Sequence, residues 1–251
     1  MKKFALASTA ALLAAMPLMS GVAHAQTAAP APEASPLTFN ASLMSEYRYR
    51  GISQSRSQPA LQGGFDYAAP SGFYVGAWGS TIKWIKDSGG DGQVELDLYG
   101  GYKGTITEGL TYDVGVLQYY YPSAGLAPSP NTFEGYAALT VGPITAKYSH
   151  STTNLFGFAG SKGSGYLDIS ASFDLGDGYA LAPHLGHQNV AGKGNGAYSY
   201  TDIALTLSKD INGIVPSITF LATDAPAKSY VSPAGKNNGR SAVVVGVKYN
   251  F

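Results

Sequence analysis

Several short constellations in this chain combine residue types that can do chemistry. Glu46, Arg48 and Arg50 alternate with Tyr47 and Tyr49. In an extended chain that spacing puts the three charges on one side. There they can attract a solute or pair with charges on neighbouring strands. Glu95 and Asp97 repeat the arrangement with two acids. Tyr148-Ser149-His150-Ser151-Thr152-Thr153-Asn154 holds the residue types of a Ser/His/Asn hydrolytic site. A nucleophilic Ser must lie within hydrogen-bond reach of its base, and in a strand His150 and Ser151 point opposite ways. His184 and His187 also fall on opposite faces, so they do not make a simple metal-binding pair. Asp87 to Gly92 (DSGGDG) has acids but not the spacing of a calcium loop. Gly192-Lys193-Gly194-Asn195-Gly196 lacks the strand-to-helix setting of a phosphate loop. The expectation is no catalytic residue, no metal and no cofactor.

Composition narrows the classes further. The chain has 251 residues, 45% hydrophobic and 13% charged, with 16 basic and 16 acidic side chains. Soluble domains average roughly 25% charged residues, so charge is scarce here. Disorder needs high net charge and low hydrophobicity, and neither is present. With no cysteine there is no disulfide framework or thiolate metal site. No basic excess exists for nucleic acid. Glycine (32) and tyrosine (18) are abundant.

The first 25 residues read as a secretory signal peptide. Lys2 and Lys3 precede an apolar stretch from Phe4 to Met19, and Ala23-His24-Ala25 offers a small-x-small cleavage site. Ser8, Thr9 and Pro17 interrupt the stretch, which is short for a membrane span. Residues 26–36 (QTAAPAPEASP) read as a Pro/Ala-rich tether. Cleavage after Ala25 would remove two lysines, leaving 14 basic against 16 acidic residues.

From residue 37 to 251 the apolar period is 2. Phe39, Ala41, Leu43, Tyr47 and Tyr49 oppose Asn40, Ser42, Glu46, Arg48 and Arg50. Val94, Leu96, Leu98 and Tyr102 oppose Glu95 and Asp97. Leu167, Ile169, Ala171 and Phe173 oppose Asp168, Ser170 and Ser172. An amphipathic helix would repeat at i, i+3, i+4 instead. About twelve such segments occur, close to the roughly 9–11 residues a transmembrane strand needs. The segments near 73–84, 179–188 and 214–222 have less definite facing. Connections alternate. Short ones are Ala69 to Gly72, Gly104 to Gly109, Gly142-Pro143, Gly176 to Gly178 and Lys209 to Gly213. The others, such as Thr152 to Gly163 and Asp224 to Arg240, are long. This predicts an all-β fold: a closed antiparallel transmembrane β-barrel of about 12 strands, with short periplasmic turns and longer extracellular loops.

Aromatic positions fit two interfacial girdles. Phe39, Tyr67, Tyr102, Tyr112, Phe173, Tyr249 and Phe251 fall at the lower rim. Tyr47, Tyr49, Tyr120, Phe133, Tyr148 and Phe220 fall at the upper. Val247, Tyr249 and Phe251 end the chain in the manner of a terminal signal read by the barrel-assembly machinery. A soluble β-sandwich also alternates, but it carries charge on its outer face.

The polar faces should line a lumen. They carry eight acids, Glu46, Asp66, Glu95, Asp97, Asp113, Glu134, Asp168 and Asp202, against four bases, Arg48, Arg50, Lys147 and Lys248. Unpaired buried charge is costly, so these groups either meet water or pair across the interior. Twelve strands lie between the filled eight-stranded barrel and the open channel of 16–18 strands.

Several phrases resemble a known family: SEYRYRGISQS (45–55), PALQGGFDY (59–67), GFYVGAWGS (72–80), ELDLYGGY (95–102) and Tyr119-Tyr120-Tyr121-Pro122. They are similar to the TorF family, proteobacterial outer-membrane β-barrel proteins named as porins by inference. The match is densest from about 40 to 150. The resemblance implies an outer-membrane channel and names no substrate.

The expected function is thus passive diffusion of small hydrophilic solutes or ions through a narrow, net acidic lumen in the outer membrane. Outer-membrane lipid and the assembly machinery are the expected partners, and nucleic acid is not. Two alternatives are a non-conducting structural or adhesion barrel acting through its loops and an outer-membrane lipid hydrolase using Ser151.

Overall fold

The computed structural model describes residues 35–233 and 235–251. The predicted signal peptide and residues 26–34 of the predicted tether lie outside the described residues. Twelve strands follow in chain order. They are β1 (Leu37–Met44), β2 (Ala60–Ala68), β3 (Phe73–Thr81), β4 (Val94–Thr107), β5 (Leu110–Tyr120) and β6 (Thr132–Val141). The second half holds β7 (Ile144–Ser151), β8 (Gly165–Ala171, resuming as Phe173–Gly176), β9 (Tyr179–Asn189), β10 (Tyr200–Lys209), β11 (Ile214–Thr223) and β12 (Ala242–Asn250).

Each strand pairs antiparallel with the next. The ring closes where β1 pairs β12, with Asn40 opposite Asn250 and Met44 opposite Gly246. Closure leaves no strand edge, so backbone groups find partners without water. No helix among the described residues is long and apolar enough to cross a membrane, and none is needed, because strands do the crossing.

Alternation sorts side chains by face. Leu98 on β4 is 55% exposed while its neighbour Asp97 is 3% exposed. Leu43, Val116, Leu139, Leu185, Ile203 and Val245 likewise point outward. An unbroken apolar belt of this kind is far larger than the patches a soluble monomer tolerates. It is the outer surface of a barrel made for lipid. The turns fit their residues too. Asp177 and Gly178 both have positive φ (50° and 81°), the mirror-image two-residue hairpin turn that matches strand twist.

Both girdles are present with one correction. Phe39, Tyr67, Phe173, Tyr249 and Phe251 are exposed at the lower rim, and Tyr120, Tyr148 and Phe220 at the upper. Tyr47 and Tyr49 are not in the upper girdle. The first strand stops at Met44, and residues 45–59 turn into the barrel, leaving Tyr47 3% exposed. The physical reason is that Glu46, Arg48 and Arg50 all find partners inside, and the intervening tyrosines are carried in with them.

The lipid-facing assignment predicts a cost for charge. Leu98→Arg should destabilise the folded barrel by about 2–4 kcal/mol, the penalty for Arg near the bilayer midplane. Urea titration of the protein in lipid vesicles measures this. An unchanged midpoint would show that Leu98 does not face hydrocarbon.

Candidate functional site

The inward segment builds the site. Arg48–Tyr49 and Ile52–Ser53 form a two-stranded ribbon, with Arg48 opposite Ser53 and Tyr49 opposite Ile52. Arg50 and Gly51 are its two-residue tip, with φ of 45° and 76°. Gly51 also packs closely: a Cβ there would meet the side chains of Thr223 and Asp202. The ribbon therefore starts at β1 and reaches the wall at β10 and β11.

Arg50 is the hub. Its Nη2 donates to Glu134 Oε2 at 2.7 Å, and its Nη1 donates to Glu134 Oε1 at 3.1 Å and Gln188 Oε1 at 2.7 Å. The guanidinium also lies over the rings of Tyr49 and Tyr166, 4.8 and 4.3 Å from their centroids. One side chain thus ties the first loop to β6, β8 and β9. A bidentate fork between two rings is a geometry that Lys would not reproduce. Arg48 closes the other side. Its Nη1 donates to the carbonyls of Gly51, Asn238 and Arg240 at 2.9, 2.7 and 3.0 Å, and its Nε is 2.9 Å from Glu46 Oε1. Arg56 pairs with Asp87 of the short helix Trp84–Asp87.

Tyr47 completes the ring of anchors by donating to Glu95 Oε1 at 2.6 Å. Burial, and then the charges of Glu95 and Asp97, push its phenol well above the usual range, so it stays a donor. The upper interior is therefore crossed by a ribbon fastened to β4, β6, β9 and the last long loop.

Below it the walls are polar. On β8 to β10, His184 Nε2 lies 3.0 Å from Asp202 Oδ1 and its Nδ1 lies 3.0 Å from Asp168 Oδ2. The Tyr166 hydroxyl donates to Asp202 Oδ2 at 2.9 Å. Tyr99 donates to Asp66 at 2.6 Å. Tyr74 donates to Asp113 and pairs with Tyr136. Lys103 Nζ is 3.7 Å from Asp113, and Lys147 Nζ sits 3.9 Å above the Tyr136 ring. Lys248 is on the inward face of β12, opposite Ser42 and Val215.

All twelve charged residues expected inside are thus placed on the inner side. Three of them, Glu46, Arg48 and Arg50, come from the inward segment 45–59 and not from a strand of the barrel wall. Sequence reasoning missed His184, Lys103, and the inward Tyr74, Trp78, Tyr99, Tyr166 and Tyr200. Parity carried the signal for several: Tyr99 shares it with Glu95 and Asp97, and Tyr166 shares it with Asp168. Val247, Tyr249 and Phe251 face outward, and Phe251 stacks on Phe39 and Tyr249 at 5.8 and 5.4 Å. Ser151 is fully buried on the inner face and His150 is exposed on the outer, so the two cannot share a proton.

Removing one member of a buried ion pair strands the other. Arg50→Ala is expected to cost about 3–5 kcal/mol, and the double variant Arg50→Gln/Glu134→Gln clearly less. Denaturant unfolding of both proteins checks this. Equal losses would mean the pair does not hold the ribbon.

The whole-barrel geometry matches known proteins. The solved KdgM porin covers 86% of this chain and 98% of its own at a TM-score of 0.55 and 8% identity. The NanC porin matches at 0.54 and 11% identity, with the same coverage. KdgM porin in complex with disordered oligogalacturonate matches at 0.54 and 9%, again over 86% and 98%. At such identities the likeness is one of fold. No curated protein sequence matches the chain. A family profile described as "Bacterial protein of unknown function (Gcw_chp)" spans residues 28–251. The TorF name is not the one this match carries. The chain belongs to the Gcw_chp family.

Proposed function

We propose that this protein is an outer-membrane porin that passes small hydrophilic solutes and ions by passive diffusion. The observation that carries the reading is the closed twelve-stranded ring, apolar outside and charged inside. A polar, charged interior is the lining that a conduit through a membrane barrel carries. Residues 1–25 act as the export signal, 26–36 as a tether, and 37–251 as the barrel. Outer-membrane lipid solvates the outer face. Val247, Tyr249 and Phe251 serve as the assembly signal.

The twelve expected charges line the path together with Lys103. Five bases against eight acids leave the path net acidic, which favours cations over anions. Oligogalacturonate accompanies KdgM in one solved complex. An acidic lumen gives no support for that polyanion here. The ribbon tip at Arg50-Gly51 is the constriction and keeps the pathway narrow.

The same ribbon favours one second reading, a non-conducting barrel that works through its loops. Planar-bilayer recording of the refolded full chain separates the two. The channel reading expects discrete conductance steps in the wild type, and steps at least about twofold larger in Arg50→Ala, where the constriction is loosened. Silence from both proteins would sink the porin reading and leave the loop-acting barrel. Deleting Phe251 is expected to lower the assembled, heat-modifiable fraction in outer membranes. An undiminished fraction would remove the assembly role of the terminus.

A further inference from the structure

Most buried charges in the interior are matched. Arg50 holds Glu134, Arg48 lies against Glu46, and His184 stands between Asp168 and Asp202. Two neighbouring acids on β4 are not matched in this way. Glu95 and Asp97 are 2% and 3% exposed, sit two residues apart on the inner face, and form no ion pair with Lys or Arg among the described residues. Glu95 accepts from Tyr47. Asp97 Oδ1 is buried and has no hydrogen-bond partner. An uncompensated carboxylate in such a place is costly, and a bound positive group would offset that cost where no Lys or Arg does.

The surroundings indicate what kind of positive group. Trp78 of β3 and Tyr119 of β5 are the direct cross-strand partners of Asp97, and both rings are buried on the inner side. Tyr47 packs edge-on to Trp78, with ring centroids 5.4 Å apart. Two carboxylates walled by Tyr47, Trp78 and Tyr119 combine charge with π faces. That pairing suits an organic ammonium, which is less strongly hydrated than a small metal ion.

We propose that Asp97 and Glu95, with the rings of Trp78, Tyr47 and Tyr119, form a binding subsite for the ammonium group of a small organic cation beneath the inward ribbon. This rests on the channel reading and deepens it by naming amine-bearing solutes as the class the constriction favours. The ribbon residue Tyr47 lies against both Glu95 and Trp78 and so covers the acids.

Binding can be read without conductance, so the two readings fail separately. The chain has two tryptophans, and Trp84→Phe leaves Trp78 as the only one. In that background the refolded full chain is titrated with ethylammonium chloride against equal concentrations of potassium chloride. A saturable change in Trp78 emission is expected with ethylammonium and not with potassium. Asp97→Asn should weaken it by about tenfold or more, as for loss of a buried charge partner. Asp97→Glu, which keeps the charge, should retain it. Asp91→Asn, which removes an exposed acid from the adjoining loop, should leave it unchanged. No saturable response, an equal response to potassium, or an unaltered response in Asp97→Asn would overturn the subsite. A conducting wild type in bilayers would then still stand as a channel.

Discussion

Backbone pairing in a medium without water governs everything else in this molecule. Each N–H and C=O in hydrocarbon must find a partner within the protein. For strands the complete solution is a ring, and the β1–β12 seam from Asn40–Asn250 to Met44–Gly246 closes it. Closure makes one face of every strand lipid-facing and the other inward. Leu98 and Asp97 are adjacent in sequence yet occupy opposite solvents.

The second consequence concerns the interior. A ring of twelve strands encloses more than side chains of ordinary size would fill, and its inner face is polar. The chain deals with this by sending its first loop inside. Arg50 stands in the left-handed region at the ribbon tip, an unusual place for a side chain with a Cβ. Its two bonds to Glu134, its bond to Gln188 and its contacts with two rings offset that strain. Position and chemistry are thus coupled: the guanidinium that ties the ribbon down is also the charge the ribbon carries furthest across the interior, to Glu134 and Gln188.

Tyrosine has two roles here. At the rims Tyr67, Tyr148 and Tyr249 place an amphipathic ring at the membrane boundary. Inside, Tyr47, Tyr74, Tyr99 and Tyr166 donate their hydroxyls to carboxylates that would otherwise be poorly solvated. The inner tyrosines thus allow eight acids to coexist with few bases. Their donors do not reach Asp97, whose Oδ1 is buried without a hydrogen-bond partner.

The sequence by itself determined the strands, the order of short and long connections, and the facing of residues such as Glu95, Lys147 and Asp202. Those features repeat every two residues, and a side-chain period is a local property that needs no partner to be read. Inward tyrosines such as Tyr99 were legible by the same parity, although the girdle pattern drew attention outward. His184 was harder, because Pro183 and Gly186 blur the alternation around it. Only the tertiary structure decided where Tyr47, Arg48, Tyr49 and Arg50 go. Their spacing continues β1 and gives no hint of a turn at Ser45. They leave the wall because their partners, Glu95, Glu134, Gln188 and the carbonyls of Asn238 and Arg240, are brought within reach by ring closure alone. Contacts spanning 48 to 192 residues of chain have no local period.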